Sequence, residues 1–142
     1  MDLTGPVNFH PLDEHDNLLI EAARDVLRRN QRPGRHGVGA AVRAGSGRIY
    51  VGVNIESCCY GPCAEPIALG AAFSNGERDI TVMVAVCRRG DEYAVLSPCG
   101  NCRQMLLDYA PQATVVVDNN GSVVKAQIAE LLPAAYRSGF DE

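Results

Sequence analysis

An α/β fold, with a mixed β-sheet covered by helices on both faces, is what the sequence predicts. Segments of helical and of strand periodicity alternate along the chain, and several strand runs are β-branched enough to be buried on both sides. The 142-residue length suits one domain spanning 1–142, large enough to bury roughly two-thirds of its unfolded surface without disulfide staples.

The elements follow in order. Leu18, Leu19, Ala22, Val26 and Leu27 share one helical stripe, with Glu21, Arg24, Asp25 and Arg28 off it, so a first amphipathic helix runs over 18–27 and ends near Pro33-Gly34. Val38, Ala40 and Val42 alternate with small or polar residues, Gly45-Ser46-Gly47 marks a turn, and Ile49, Val51 and Val53 alternate again, which predicts a β-hairpin. Pro62 to Phe73 reads as a helix, with proline near its start and Asn75-Gly76 closing it. Ile80–Val86, Tyr93–Leu96 and Thr114–Val117 read as strands buried on both faces, and 100–109 between the last two as a helix. A final helix is expected over Lys125–Leu132, stopped by Pro133.

Composition narrows the function. A net charge of -4 offers no basic field for phosphates, so nucleic acid is not the expected partner and a small molecule is. No segment approaches the ~20 apolar residues of a membrane span, and Met1 to His10 lacks a signal-peptide pattern, so the expected location is cytoplasmic. In such a setting the six cysteines are expected as thiols or metal ligands.

Their grouping favours a metal. Cys63 opens one helical segment; Cys99 and Cys102 open another. Each group follows a proline, so its thiolates would sit at a helix N-terminus, where backbone N–H groups and the dipole favour negative charge. Two residues between Cys99 and Cys102 let one turn present both sulfurs to one ion, and Cys63 completes a three-cysteine face whose fourth position stays open for water. A structural zinc normally has four protein ligands, so this pattern points to a catalytic Zn2+. Glu65, two residues after Cys63, is placed to shuttle protons beside that open position. Water attack at C4 of a cytosine ring, with Glu65 protonating N3 and then the departing amine, would give uracil and ammonia.

Asn54-Ile55-Glu56, Cys63-Ala64-Glu65 and Pro98-Cys99-Gly100-Asn101-Cys102-Arg103-Gln104 resemble the homotetrameric cytidine deaminases over roughly Leu18 to Tyr136. Gly61-Pro62-Cys63-Ala64-Glu65, Ser97-Pro98-Cys99-Gly100 and Leu131-Leu132-Pro133 with Tyr136 are similar to blasticidin S deaminase as well. The resemblance implies a three-layer α/β/α fold, a homotetramer, and a cytosine nucleoside as substrate, as in pyrimidine salvage. It also implies that Asn54 and Glu56 bind ribose hydroxyls, that Ala64, Ser97 and Tyr136 contact substrate, and that Arg103 moderates the charge beside the ligands. Two departures stand out. Pro66 replaces the arginine that usually follows Cys-Ala-Glu, and the connection from Asn54 to Cys63 is short, as in the blasticidin enzyme.

Three functions follow: deamination of cytidine or deoxycytidine, deamination of blasticidin S or a related analogue, and a non-catalytic zinc-stabilised interaction domain. Cys58 and Cys59 read as loop residues and Cys87 as core. His10, His15 and His36 show no paired spacing and read as surface or cap residues, while Tyr136 or Phe140 is expected to reach a substrate pocket, its own or a neighbour's.

Overall fold

The computed structural model of the chain describes residues 6–32 and 34–139. Helix α1 spans Glu14–Asn30 and starts one turn before the apolar stripe. The reason is a capping box: the Asp13 side chain accepts from the Asp16 N–H while the Asp16 carboxylate accepts from the Asp13 N–H. Pro33, placed by the sequence near the end of this helix, lies outside the described residues.

Strands β1 (Val38–Ala44) and β2 (Ile49–Val53) form the expected hairpin, reversed at Gly47 with φ 91°. Helix α2 covers Ala64–Ser74; the Asn75 N–H closes its last turn and Gly76, at φ 86°, turns the chain out. Strand β3 (Ile80–Arg89) is followed by β4 (Glu92–Val95), helix α3 (Gly100–Tyr109), and strands β5 (Thr114–Asn119) and β6 (Ser122–Gln127). A 3-10 turn over Ile128–Leu131 ends the regular structure.

Three expectations are corrected. The helix expected over Lys125–Leu132 does not form: its first residues belong to β6, and only the 3-10 turn survives. Asn120 and Gly121 both take positive φ, 53° and 96°, the tight turn that matches strand twist, and it sends Ser122–Gln127 back antiparallel along β5. Ladder hydrogen bonds and the burial of Ala126 outweigh a short helical pattern. The segment Tyr93–Leu96 is a strand at its start but is not buried on both faces. β4 pairs with β3 alone and, of its residues, Val95 is buried. Cys87 likewise is half-buried rather than core.

The sheet runs β2-β1-β3-β5-β6, with β4 alongside the far end of β3; β3 and β5 are parallel and the other pairs antiparallel. Alternating residues divide the core. Ala41, Val82, Val84, Val86 and Val116 pack under α1 with Leu19, Ala23 and Leu27, whereas Ala40, Val42, Met83, Ala85, Val115 and Val117 face α2 and α3. The result is three layers, α1 on one side and α2 with α3 on the other.

Contact between helix and sheet is closest at two glycines. A Cβ on Gly39 would lie 2.5 Å from the Ala23 carbonyl oxygen of α1, and one on Gly52 would lie 2.7 Å from Ile67 Cγ2 of α2. At the other end, Lys125 Nζ on β6 reaches the buried Asp16 carboxylate at 2.7 Å and ties the start of α1 to the sheet.

Candidate active site

Both helices on the second face begin with a cysteine. Cys63 is the N-cap of α2 and Cys99 the N-cap of α3, each with extended backbone, and Cys102 lies in the first turn of α3. Cys63 makes no bond back to its own helix, and Cys99 turns its sulfur over the first turn of α3, so the three sulfurs face each other. Cys63 Sγ lies 3.9 Å from Cys99 Sγ, which lies 3.7 Å from Cys102 Sγ, and all three fall within 4.8 Å of one another.

That triangle has the dimensions of a zinc face. Tetrahedral Zn–S bonds of about 2.3 Å separate neighbouring sulfurs by roughly 3.8 Å. Desolvation pushes the Cys63 and Cys102 thiols above their ordinary value. Desolvation acts the same way on Cys99 but is outweighed by backbone hydrogen bonds at Cys102 and Asn101 and by the neighbouring thiols, so Cys99 falls below it. A divalent ion bound to these residues would override the upward shifts and hold all three as thiolates. The donor set therefore fits Zn2+.

Glu65, in the first turn of α2, is 4% exposed, and burial pushes its carboxyl above the ordinary glutamate range. It shares a cavity of about 350 Å³ with Asn54, Glu56, Cys63, Ala64, Ser97 and Cys99, the size of a small-molecule site. A larger groove of about 800 Å³ between α1, β4 and the β5–β6 turn holds none of these residues.

The remaining expected residues divide. Asn54, directly after β2, is 8% exposed; its Oδ1 accepts from the Gly37 and Val38 N–H groups, and its Nδ2 donates to Glu56 Oε1 at 2.9 Å. The short connection that follows is pinched by the Ile55 N–H donating to the Pro62 carbonyl, which keeps Glu56 at the cavity. Ser97 lines the cavity, but its hydroxyl accepts from the Asp118 N–H at 3.0 Å. Arg103 donates to the carbonyls of Pro98, at 2.8 Å, and Leu131, at 3.0 Å, bracing the loop in front of Cys99. Tyr136 is 73% exposed and does not line the cavity of its own chain, and Phe140 lies outside the described residues. Cys58 and Cys59 are exposed loop residues away from the sulfur triangle. Sequence reasoning gave no site role to Val38 and Leu96, apolar walls of the cavity, or to His36, whose ring stands 2.7 Å from the Asn54 carbonyl. Apolar walls have no motif, and a single histidine has no spacing to read.

Comparison with known proteins agrees with this geometry. The family model for the cytidine and deoxycytidylate deaminase zinc-binding region matches residues 13–118. A blasticidin-S deaminase of Bacillus cereus is 39% identical over 132 residues, covering 88% of this chain and 94% of the relative. A cytidine deaminase of Halalkalibacterium halodurans is 38% identical over 106 residues, covering 72% and 78%. The solved structure of a cytidine deaminase from Burkholderia pseudomallei matches with a TM-score of 0.70 at 31% identity, covering 84% of this chain and 98% of that one.

Proposed function

Because the chain belongs to the cytidine and deoxycytidylate deaminase family, we propose that it deaminates the cytosine ring of a free nucleoside, cytidine or deoxycytidine, with Glu65 as proton shuttle and Cys63, Cys99 and Cys102 as zinc ligands. Family membership makes it a zinc-dependent hydrolase rather than a non-catalytic interaction domain. The observation that carries the substrate reading is one 350 Å³ cavity that joins two sulfurs of the triangle, a buried carboxylate and the hydrogen-bonded Asn54–Glu56 pair.

When bound, zinc supplies Lewis-acid activation of water. Glu65 takes a proton from the attacking water and delivers it to N3 of the ring; a second transfer to the amino group at C4 lets the C–N bond break, giving the uracil nucleoside and ammonia. The raised proton affinity of its buried carboxyl suits a group that must both accept and release protons. Ala64 and Ser97 border the space for the ring, and Glu56, steadied by Asn54, offers a carboxylate to sugar hydroxyls.

Blasticidin S is the second reading, favoured by the pinched connection between Asn54 and Cys63 and by the length of the Bacillus cereus alignment. We read residues 1–142 as one catalytic domain that assembles as a homotetramer, where the exposed Tyr136 would reach a neighbouring subunit's cavity. A cytoplasmic location is consistent with the described residues, in which no helix is long and apolar enough to cross a membrane.

Ammonia release from zinc-loaded protein tests the function, with cytidine, deoxycytidine, cytosine and blasticidin S compared side by side. Preference for the ordinary nucleosides is expected, and Glu65→Gln should lower turnover at least about a hundredfold with zinc retained. Preference for blasticidin S would select the second reading, and full activity of Glu65→Gln would remove Glu65 from the mechanism. Sedimentation as a monomer would exclude the tetramer.

A further inference from the structure

Asn54 is gripped from behind by the segment that enters β1. Its carbonyl oxygen lies 2.7 Å from His36 Nδ1, and because a carbonyl only accepts, that ring nitrogen carries the hydrogen and donates it. The Gly37 and Val38 N–H groups donate to Asn54 Oδ1 at 2.8 and 2.9 Å, which fixes the oxygen end of the amide and turns Nδ2 toward Glu56. Three consecutive residues thus hold both the backbone and the side chain of one asparagine.

The grip matters because of where Glu56 sits. It is exposed, beyond the last residue of β2, so packing does not orient it. Its carboxylate takes its direction from the Asn54 Nδ2 donor. Asn54 itself stands one residue past the end of β2, with its N–H paired to the Val38 carbonyl and its own carbonyl held by the half-buried His36 ring. Removing that donor leaves the Asn54–Ile55 peptide unit held from its other edge, by the Ile55 N–H on the Pro62 carbonyl, and so loosens Asn54 and, through Nδ2, the Glu56 carboxylate.

We infer that His36 is a positioning residue for the sugar: it fixes the Asn54–Glu56 pair through the Asn54 carbonyl and sets nucleoside affinity without touching the substrate. This rests on the reading that Glu56 meets sugar hydroxyls. It separates His36 from the zinc chemistry, since the ring lines neither the cavity nor the sulfur triangle.

The test compares cytidine with 2′,3′-dideoxycytidine, which lacks both ring hydroxyls, in His36→Ala, His36→Asn, Glu56→Gln and the double variant His36→Ala/Glu56→Gln. An asparagine amide nitrogen occupies nearly the place of Nδ1, so His36→Asn keeps the donor. Loss of one hydrogen bond predicts that His36→Ala raises KM for cytidine about fivefold with kcat within about twofold, and that KM for the dideoxynucleoside hardly moves. His36→Asn should restore the wild-type KM, and the double variant should be no worse than Glu56→Gln alone. Equal KM increases for both substrates, or additive effects in the double variant, would overturn the role of His36 and leave the sugar reading standing. If Glu56→Gln itself fails to change the preference between the two substrates, the sugar reading falls and this inference falls with it. Melting temperature and zinc content, measured on every variant, separate these outcomes from unfolding.

Discussion

Gly52→Ala probes the joint between scaffold and site. A Cβ at this buried position would stand 2.7 Å from Ile67 Cγ2 and 2.8 Å from the Ala68 backbone nitrogen of α2. Ordinary carbon contacts lie near 3.5–4.0 Å, so α2 must recede by about 1 Å. One obstructing atom is backbone, so a rotamer change does not relieve the clash. Overpacking of this kind costs about 1–3 kcal/mol, which at roughly 3–4 °C per kcal/mol lowers the melting temperature by about 3–12 °C. The larger effect falls on chemistry. α2 carries Cys63 and Glu65, whereas Cys99 and Cys102 come from α3. Moving α2 by 1 Å takes the 3.9 Å Cys63–Cys99 separation toward about 5 Å, beyond the ~4.6 Å that two Zn–S bonds can span. The expected outcome is weakened zinc retention and turnover reduced about a hundredfold. Zinc content by elemental analysis, calorimetric melting and ammonia release measure the three quantities. A variant that melts lower yet keeps wild-type zinc content and turnover would refute the coupling, because α2 would then have absorbed the methyl without moving its N-terminus.

Other outcomes follow from the same contacts. Lys125→Met strips the 1%-exposed Asp16 of its cation and should cost about 3 kcal/mol at neutral pH, read by urea unfolding. The hydrogen bond to Asp16, followed by the charges of Asp16 and Asp13, raises Lys125 above its ordinary 10.5, so this stabilisation is full below that value and fades as pH climbs through the folded-state value. Asp13, lowered below its ordinary 3.8 chiefly by the Asp16 N–H, adds stability above that pH that is lost as pH falls through its lower folded-state value. The gap between wild type and Lys125→Met should therefore be flat across neutral pH and close on the alkaline side. Gly121→Ala, which forces a methyl into φ 96°, should cost about 1–2 kcal/mol through the β5–β6 turn with zinc content unchanged. Cys102→Ser should abolish zinc retention, whereas Cys59→Ser, outside the sulfur triangle, should leave zinc content and turnover intact.

The metal face was legible because its residues lie in two short motifs, and helix starts are written locally: Cys63 and Cys99 are N-caps where the sequence placed them. The layered α/β arrangement and both helices of the second face were legible from periodicity for the same reason. What escaped depends on contacts distant in sequence. Lys125–Gln127 reads as helix until β5 offers it a ladder, and the signal that could have revealed this is the Asn120-Gly121 turn. Arg103 was read by its closeness to the ligands, yet its guanidinium spans from Pro98 to Leu131, a partner 28 residues away. His36 escaped because its partner, Asn54, lies across the β1–β2 hairpin.

The seam at the middle of the sheet has a further consequence. Among the described residues β3 and β5 are in register at Val82/Thr114 and Met83/Val115, while β1–β3 and β5–β6 run as longer ladders on either side. Sub-global opening should therefore begin there, parting a unit of β1 to β4 with α1 and α2 from a unit of α3, β5 and β6. Cys63 belongs to the first unit, and Cys99 and Cys102 to the second. An ion held by all three would straddle the break and fuse two cooperative blocks into one. In hydrogen exchange, amides of β5 and β6 should open together with those of β1 and β3 when zinc is bound, and at lower free energy once a chelator removes it. A zinc ion on these three cysteines would then both activate water and rivet the β3–β5 junction, so that metal loss would inactivate the protein and loosen that junction together.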